Sequence, residues 1–140
     1  MKRALLKAIS AVHVFLYRLT GGALGSEIRG FRVLLLITTG RKSRKRHTTP
    51  LGYFEHDGAY VIIASNGGSE NHPGWFYNLK HDPQVEIQVK DRKIAARAEE
   101  APSEARQHLW ARLIEVAPDY EEYRKRTTRT IPLVILRSLK

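Results

Sequence analysis

The residues best able to do chemistry lie together. Gly40-Arg41-Lys42-Ser43-Arg44-Lys45-Arg46-His47 packs five permanent cations into positions 41–46. Thr38, Thr39 and Ser43 set hydroxyls beside those charges. Hydroxyls next to guanidinium and ammonium groups are the donor set that holds phosphate or carboxylate. A solvated basic turn has the same composition, and the pattern alone leaves both readings open. The apolar run Val33 to Thr39 favours the first, because a buried strand would fix the loop's backbone. A second segment, Ala64-Ser65-Asn66-Gly67-Gly68, gathers small residues at the end of another apolar run. There a flat ligand can approach the backbone closely, although taken alone the segment reads as a plain turn. Trp75 and Phe76 read as core residues. Tyr120 and Tyr123 share a helical face and either line a pocket or pack with their hydroxyls at the surface.

Several chemistries are excluded. The chain has no G-x-S-x-G elbow, no Walker loop and no H-E-x-x-H. His13, His47, His56, His72, His81 and His108 never take a metal-ligand spacing, so no metal is expected. The absence of cysteine removes disulfides, thiolate metal sites and cysteine nucleophiles. Gly21-Gly22-Ala23-Leu24-Gly25 follows a helical pattern rather than a strand, which is the wrong context for a dinucleotide fingerprint.

The charge is local. Of 140 residues with net charge +10, the first 50 hold 11 basic and one acidic side chain, and the remaining 90 hold 13 of each. A local excess calls for a local anion: nucleic acid, a membrane surface, or a phosphorylated or carboxylated ligand. The basic loop lacks the aromatic side chains that stack bases, so no nucleic-acid partner is expected.

The elements that must position these residues follow from periodicity. Residues 3–19 predict an amphipathic helix with Leu5, Ile9, Val12, Leu16 and Leu19 on one face, Ala8, Ala11 and Phe15 widening it, and Lys2, Arg3, Lys7 and Arg18 as a basic fringe. Strands are predicted at 33–39, 48–54, 59–65, 85–89, 93–98 and 131–136, with Pro50 marking an edge or bulge. Turns are expected at His56-Asp57-Gly58 and at Asp91-Arg92. Pro73 opens a short helix through Leu79. Ser103 is expected to cap a helix to Val116 with Ala105, Leu109, Leu113 and Val116 inward, and 118–126 to form another. Short strands in hairpin order with helices at the ends indicate an α+β antiparallel barrel with peripheral helices. The chain divides into residues 1–25, the helix and its connection, and residues 26–140, the barrel domain.

Six motifs occur in order: Thr38-Thr-Gly-Arg-Lys-Ser43, Thr49-Pro-Leu51, Ala64-Ser-Asn-Gly-Gly68, His72-Pro-Gly-Trp75, Asn78-Leu-Lys80 with Pro83, and Arg129-Thr-Ile-Pro132. Together they make the chain resemble the deazaflavin (coenzyme F420)-dependent nitroreductase family over about Leu34 to Leu136. The resemblance implies a split β-barrel, of the flavin-reductase and pyridoxamine-phosphate-oxidase type, with coenzyme F420 as cofactor. The implied cofactor-binding residues are Thr39, Arg41, Lys42, Ser43, His47, Pro50, Ala64, Ser65, Asn66, Gly67, Gly68 and Trp75. Arg41, Lys42 and Ser43 would hold the phosphate and carboxylates of the coenzyme's tail, and residues 65–68 would lie along its ring. Ser65, Tyr120 and Tyr123 are the implied catalytic residues, with the tyrosines closing the substrate pocket. Arg44, Arg46 and His47 stand where the family usually has Gly, Pro and Arg. Replacing a glycine of positive φ by Arg44 would cost about 1 kcal/mol, so a changed loop backbone is expected.

The implied activity is hydride transfer from reduced coenzyme F420 to a quinone of menaquinone type or to a nitroaromatic. Such chemistry belongs to the cofactor, which explains why no conventional catalytic set appears. The alternatives are an FMN-dependent barrel oxidoreductase, which would purify yellow, and, behind it, a basic nucleic-acid-binding module. The basic helix suits peripheral contact of residues 1–20 with the inner face of a cell membrane, or simple packing on the barrel. A cytoplasmic location is expected, and the oligomeric state is open.

Overall fold

A computed structural model describes residues 2–22, 27–28 and 31–139. Four helices and seven strands lie among the described residues. They are α1 (Lys2–Leu19), β1 (Glu27–Ile28), β2 (Phe31–Thr39), β3 (Arg46–His56), β4 (Ala59–Ile63), α2 (Gly74–His81), β5 (Gln84–Val89), β6 (Arg92–Glu100), α3 (Ser103–Val116), α4 (Tyr120–Arg126) and β7 (Leu133–Ser138). Asn66–Gly68 forms a single 3-10 turn between β4 and α2. The sheet order is β1-β2-β3-β4-β7-β6-β5, and β5 pairs back onto β2. Six antiparallel strands therefore close into the expected barrel, with helices outside.

Closure explains the composition of β2. Leu34 and Leu36 point into the barrel with Tyr53, Ile62, Ile87, Val134 and Leu136. Val33 and Leu35 point out against Tyr17 and Val14 of α1. A strand covered on both faces reads as a continuous apolar run, and residues 33–38 are all buried. The outer faces of β3, β4 and β7 pack Phe54, Val61, Ile63, Leu133 and Ile135 on Leu109, Trp110 and Leu113 of α3. Trp75, Phe76 and Leu79 of α2 join the interior cluster.

Turn chemistry set the register. Asp57 and Gly58 both take positive φ, 51° and 78°, in a two-residue turn that pairs His56 with Ala59. The β5–β6 turn is Lys90-Asp91, with Lys90 at φ 57° and Val89 opposite Arg92. It lies one residue earlier than the Asp91-Arg92 expected, because Arg92 is already in the ladder. Pro50 pairs with Leu35, while pairing of β3 with β4 begins only at Tyr53, so at the proline the strand has one neighbour, as an edge requires.

Two expectations about helices need correction. Pro102, not Ser103, precedes α3, and no side chain caps it; Ser103 is its first residue. Val116 is not inward but 52% exposed, since α3 ends there beyond the reach of the sheet. The apolar stripe of α1, open in the sequence between membrane contact and packing on the barrel, points outward. Ile9, Val12, Phe15, Leu16 and Leu19 are exposed, and Tyr17 is fully buried instead. Tyr17 wins because its hydroxyl donates to the Gln88 carbonyl (3.2 Å) and accepts from the Lys90 N–H (2.6 Å) while its ring covers Val33 and Leu35. Burial pushes that phenol's pKa up. The side chains of residues 2–8, Leu5 and Ala8 included, and the 25/26 boundary lie outside the described residues.

Candidate functional site

The loop between β2 and β3 turns at 41–43 and is tied at its base. The Gly40 N–H donates to the Lys45 carbonyl (2.7 Å), and the Arg44 N–H donates to the Gly40 carbonyl (2.9 Å). Arg44 itself takes φ +62°. The backbone change expected from replacing glycine does not occur; the arginine adopts the left-handed conformation. At Gly40 a Cβ would lie 2.5 Å from Ser43 Oγ and 2.7 Å from His47 Nε2, so a larger residue there would displace those two side chains. Ser43 Oγ and His47 Nε2 are 3.4 Å apart, and Ser43 Oγ also accepts the Lys45 N–H at 3.2 Å.

Asn78 organises this loop from α2. Its Oδ1 accepts from the Arg41 backbone N–H (3.2 Å) and from the Arg41 guanidinium (2.9 Å), and its Nδ2 donates to Thr38 Oγ1 (3.3 Å). The guanidinium also lies 5.2 Å over the Tyr77 ring. Arg46 leaves the loop for an ion pair with Glu86 at 3.1 Å. Lys42, Arg44 and Lys45 are exposed and form no ion pair among the described residues. A groove of about 430 Å³ runs beside them, lined by Gly40, Arg41, Lys42, Ser43, His47, Thr49, Gly74, Trp75 and Asn78. Gly74 has open space where a Cβ would stand.

A second cleft, about 380 Å³, lies between β2–β3 and the α3–α4 corner, lined by Phe31, Val33, Gly52, Val116, Ala117, Pro118, Asp119, Tyr120 and Tyr123. Tyr120 meets Phe31 edge-on at 5.8 Å and Tyr123 edge-on at 5.3 Å. Burial, and secondarily Tyr123, push the Tyr120 phenol up to about 12. Gly52 makes room for Phe31; a Cβ there would lie 2.3 Å from its ring. Thr49 of the groove and Gly52 of the cleft are three residues apart on β3, about 10 Å. A larger hollow of about 580 Å³ between α1 and β3 is mostly apolar and holds one cation, Arg18, so it lacks the donor set of the groove.

The small-residue segment is buried at Ser65 and Gly68 and exposed at Asn66. Arg129 holds it, donating to the carbonyls of Ala64 (3.2 Å), Ser65 (2.8 Å) and Ser69 (2.8 Å). Gly68, at φ +82°, packs against the backbone of Tyr123 and the side chain of Arg126. The segment therefore borders the helix that carries both tyrosines.

Among the expected site residues, Arg41, Lys42, Ser43, His47 and Trp75 come together at the groove, and Tyr120 and Tyr123 at the cleft. Ala64 is fully buried in the core, with its N–H bonded to the Pro132 carbonyl and its own carbonyl to Arg129. Thr39 and Pro50 line neither opening; they pair with Arg46 and Leu35 in the β2–β3 ladder. Sequence reasoning gave no role to Asn78, Arg129, Glu70 or Phe31. A buried amide on a short apolar helix, and an arginine before an apolar strand, were the signals available. Among the described residues, no three His, Asp or Glu side chains gather where they could hold a metal.

A closed six-stranded barrel with an anion-ready groove beside an aromatic cleft defines a split-barrel protein of the flavin-reductase and pyridoxamine-phosphate-oxidase type. The structure of an F420-H2 dependent reductase superposes with TM-score 0.70, 38% identity and coverage of 78% of this chain and 95% of that one. A chain solved as a domain-swapped dimer superposes with TM-score 0.72, 32% identity and coverage of 98% and 100%. An F420H(2)-dependent quinone reductase of Mycobacterium tuberculosis is 39% identical over 131 residues, covering 89% of this chain and 87% of the relative. Residues 10–138 match the F420H(2)-dependent quinone reductase family, and the chain belongs to that family. It is thus an oxidoreductase whose family uses coenzyme F420 and a quinone acceptor.

Proposed function

We propose that the basic groove holds the anionic tail of reduced coenzyme F420, that residues 65–68 flank its ring, and that the Tyr120–Tyr123 cleft receives the quinone. The observation that carries this reading is a groove lined by Arg41, Lys42, Ser43 and His47 and backed by Trp75, with the exposed cations Arg44 and Lys45 in the same loop and without acidic partners among the described residues. The residues present fit the coenzyme: hydroxyls and free cations suit its phosphate diester and oligoglutamate.

When bound, the reduced coenzyme supplies a hydride, which a quinone carbonyl system takes up with one proton to give the hydroquinone. The chain's part is to hold two flat molecules in register and keep water out. Tyr120, pushed up to about 12, keeps its proton at neutral pH and acts as a hydrogen-bond donor to the acceptor's oxygen. In this reading Tyr123 and Ser65 supply the hydroxyls that pass the proton.

The exposed apolar side of α1, with Arg18 at its margin, supports contact with an anionic membrane where quinones dissolve. No helix among the described residues is long and apolar enough to cross one.

Titration of the pure protein with reduced coenzyme F420, followed by a quinone panel, tests the reading. Binding should weaken as salt rises, and coenzyme oxidation should begin only when quinone is added. Replacing Lys42 and Lys45 by Ala should weaken binding more for long glutamate tails than for short ones. No binding at low salt, or equal losses for both tail lengths, would overturn the assignment of the groove.

A further inference from the structure

The segment that follows α4 and the segment that follows β4 grip each other from both sides. One guanidinium, Arg129, reaches across. Besides the carbonyls of Ala64, Ser65 and Ser69, its Nη1 lies 2.8 Å from His72 Nδ1. Glu70 reaches back. Its carboxylate accepts from Thr127 Oγ1 (2.6 Å), the Thr128 N–H (3.0 Å) and Thr128 Oγ1 (2.9 Å). Between the two grips, a Cβ on Gly68 would lie 3.0 Å from the Tyr123 carbonyl oxygen and 3.0 Å from Arg126 Cβ. The segments are as close as their backbones permit.

The distribution of donors is unusual for a stabilising ion pair. The guanidinium of Arg129 forms no salt bridge with the nearby carboxylate and turns its fork to backbone carbonyls instead. Two of those carbonyls belong to Ala64 and Ser65, the start of the stretch assigned to the coenzyme's ring. The far side of the clasp is continuous with α4, whose Tyr120 and Tyr123 line the aromatic cleft. A planar fork can meet several carbonyls at once, whereas a lysine ammonium is a single point.

We propose that Arg129 and Glu70 are positioning residues: they lock the ring-flanking segment to the tyrosine-bearing helix and so set the distance between hydride donor and acceptor. This rests on the site reading above. It assigns the clasp to the chemical step, because none of the residues that Arg129 and Glu70 hydrogen-bond lines the tail groove. Loosening the clasp lets the two walls of the site shift relative to each other. A misplacement near 1 Å costs on the order of 100-fold in rate.

The test uses the full chain and the variants Arg129→Lys and Glu70→Gln. The reduced coenzyme is titrated, kcat and KM are measured with a water-soluble quinone, and hydrogen exchange is followed at residues 64–70 and 120–126. The expected result is a kcat lower by roughly 10- to 100-fold, with coenzyme affinity and quinone KM within about 3-fold. In Glu70→Gln, exchange should rise in both segments together. Should Arg129→Lys fail to fold, Glu70→Gln and Thr128→Val carry the same measurements from the exposed side. Unchanged kcat in a folded variant overturns the proposal. So does exchange that rises on one segment only. Should the unaltered protein bind no coenzyme, the site reading fails, while the joint rise in exchange still decides whether the clasp couples the two segments.

Discussion

Asn78 is 7% exposed, and its amide serves two elements at once. The oxygen fixes Arg41 through backbone and side chain, and the nitrogen reaches Thr38 at the end of β2. Asn78→Leu removes these bonds and strands the Arg41 N–H, so a loss of about 2–3 kcal/mol is expected. Denaturant unfolding measures that loss, and a salt titration of coenzyme binding should show a weaker, less tail-dependent affinity. The sequence displayed Asn78 within a motif but not this role, because a hydrogen bond spanning 37 residues has no local signature. Tyr120 poses the complementary case. Its type and helical partner Tyr123 were legible, whereas its Phe31 neighbour was not. Tyr120→Phe keeps the aromatic contacts and deletes the donor. We expect quinone kcat to fall about 10-fold, with Tm nearly unchanged, if the hydroxyl's worth is that of one hydrogen bond. A kcat equal to that of the unaltered enzyme would remove Tyr120 from the chemistry.

At the scale of elements, the strands were legible because closure of the barrel imposes simple rules. The run Val33 to Thr38 is apolar since both faces are covered, and Asp57-Gly58 turns because both residues tolerate positive φ. The errors also have a common cause. Periodicity gives the apolar face of a helix but not what that face meets, so the stripe on α1 is legible in the sequence and its orientation is not. The β2–β3 loop shows a conflict between levels. Arg44 occupies φ +62°, a conformation that favours glycine, yet adds a cation beside the groove. Arg44→Gly should therefore stabilise the fold by about 1 kcal/mol. The same change should weaken coenzyme binding, and should do so less at high salt. A variant that is neither more stable nor weaker in binding would show that the loop is not under this compromise.

Over the whole molecule, two global dependences follow from where the charges and apolar surface sit. The first is acid sensitivity. His72 is held below its ordinary 6.5 by burial and by Arg129, with Glu100 opposing. Hydrogen bonds from Thr127 and Thr128 hold Glu70 below 4.5, and Arg124 and Trp110 bring Glu121 down to about 2. In each case the unfolded chain binds the proton more readily, so stability rises with pH across these ranges. The His72 contribution is complete above pH 6.5 and declines below it, and those of Glu70 and Glu121 decline below 4.5. Tm should thus fall in two stages on acidification, and His72→Gln should remove the first stage only. The second dependence concerns α1. Ile9, Val12, Phe15 and Leu19 are 56%, 58%, 62% and 69% exposed along one side of a helix that Tyr17 anchors by the other. Burying such side chains is worth about 1.5–3 kcal/mol each, so an apolar stripe left in water forfeits several kcal/mol. An anionic membrane would recover that energy and add the attraction of the basic N-terminal third. The protein should therefore sediment with vesicles containing anionic lipid, less so at high salt, and Ile9→Glu with Val12→Glu should abolish it. Reduction of a water-soluble quinone should survive both substitutions, while reduction of a quinone carried in vesicles should drop. Absence of vesicle binding together with a dimeric mass that these substitutions convert to monomer would show that a second copy covers the face instead.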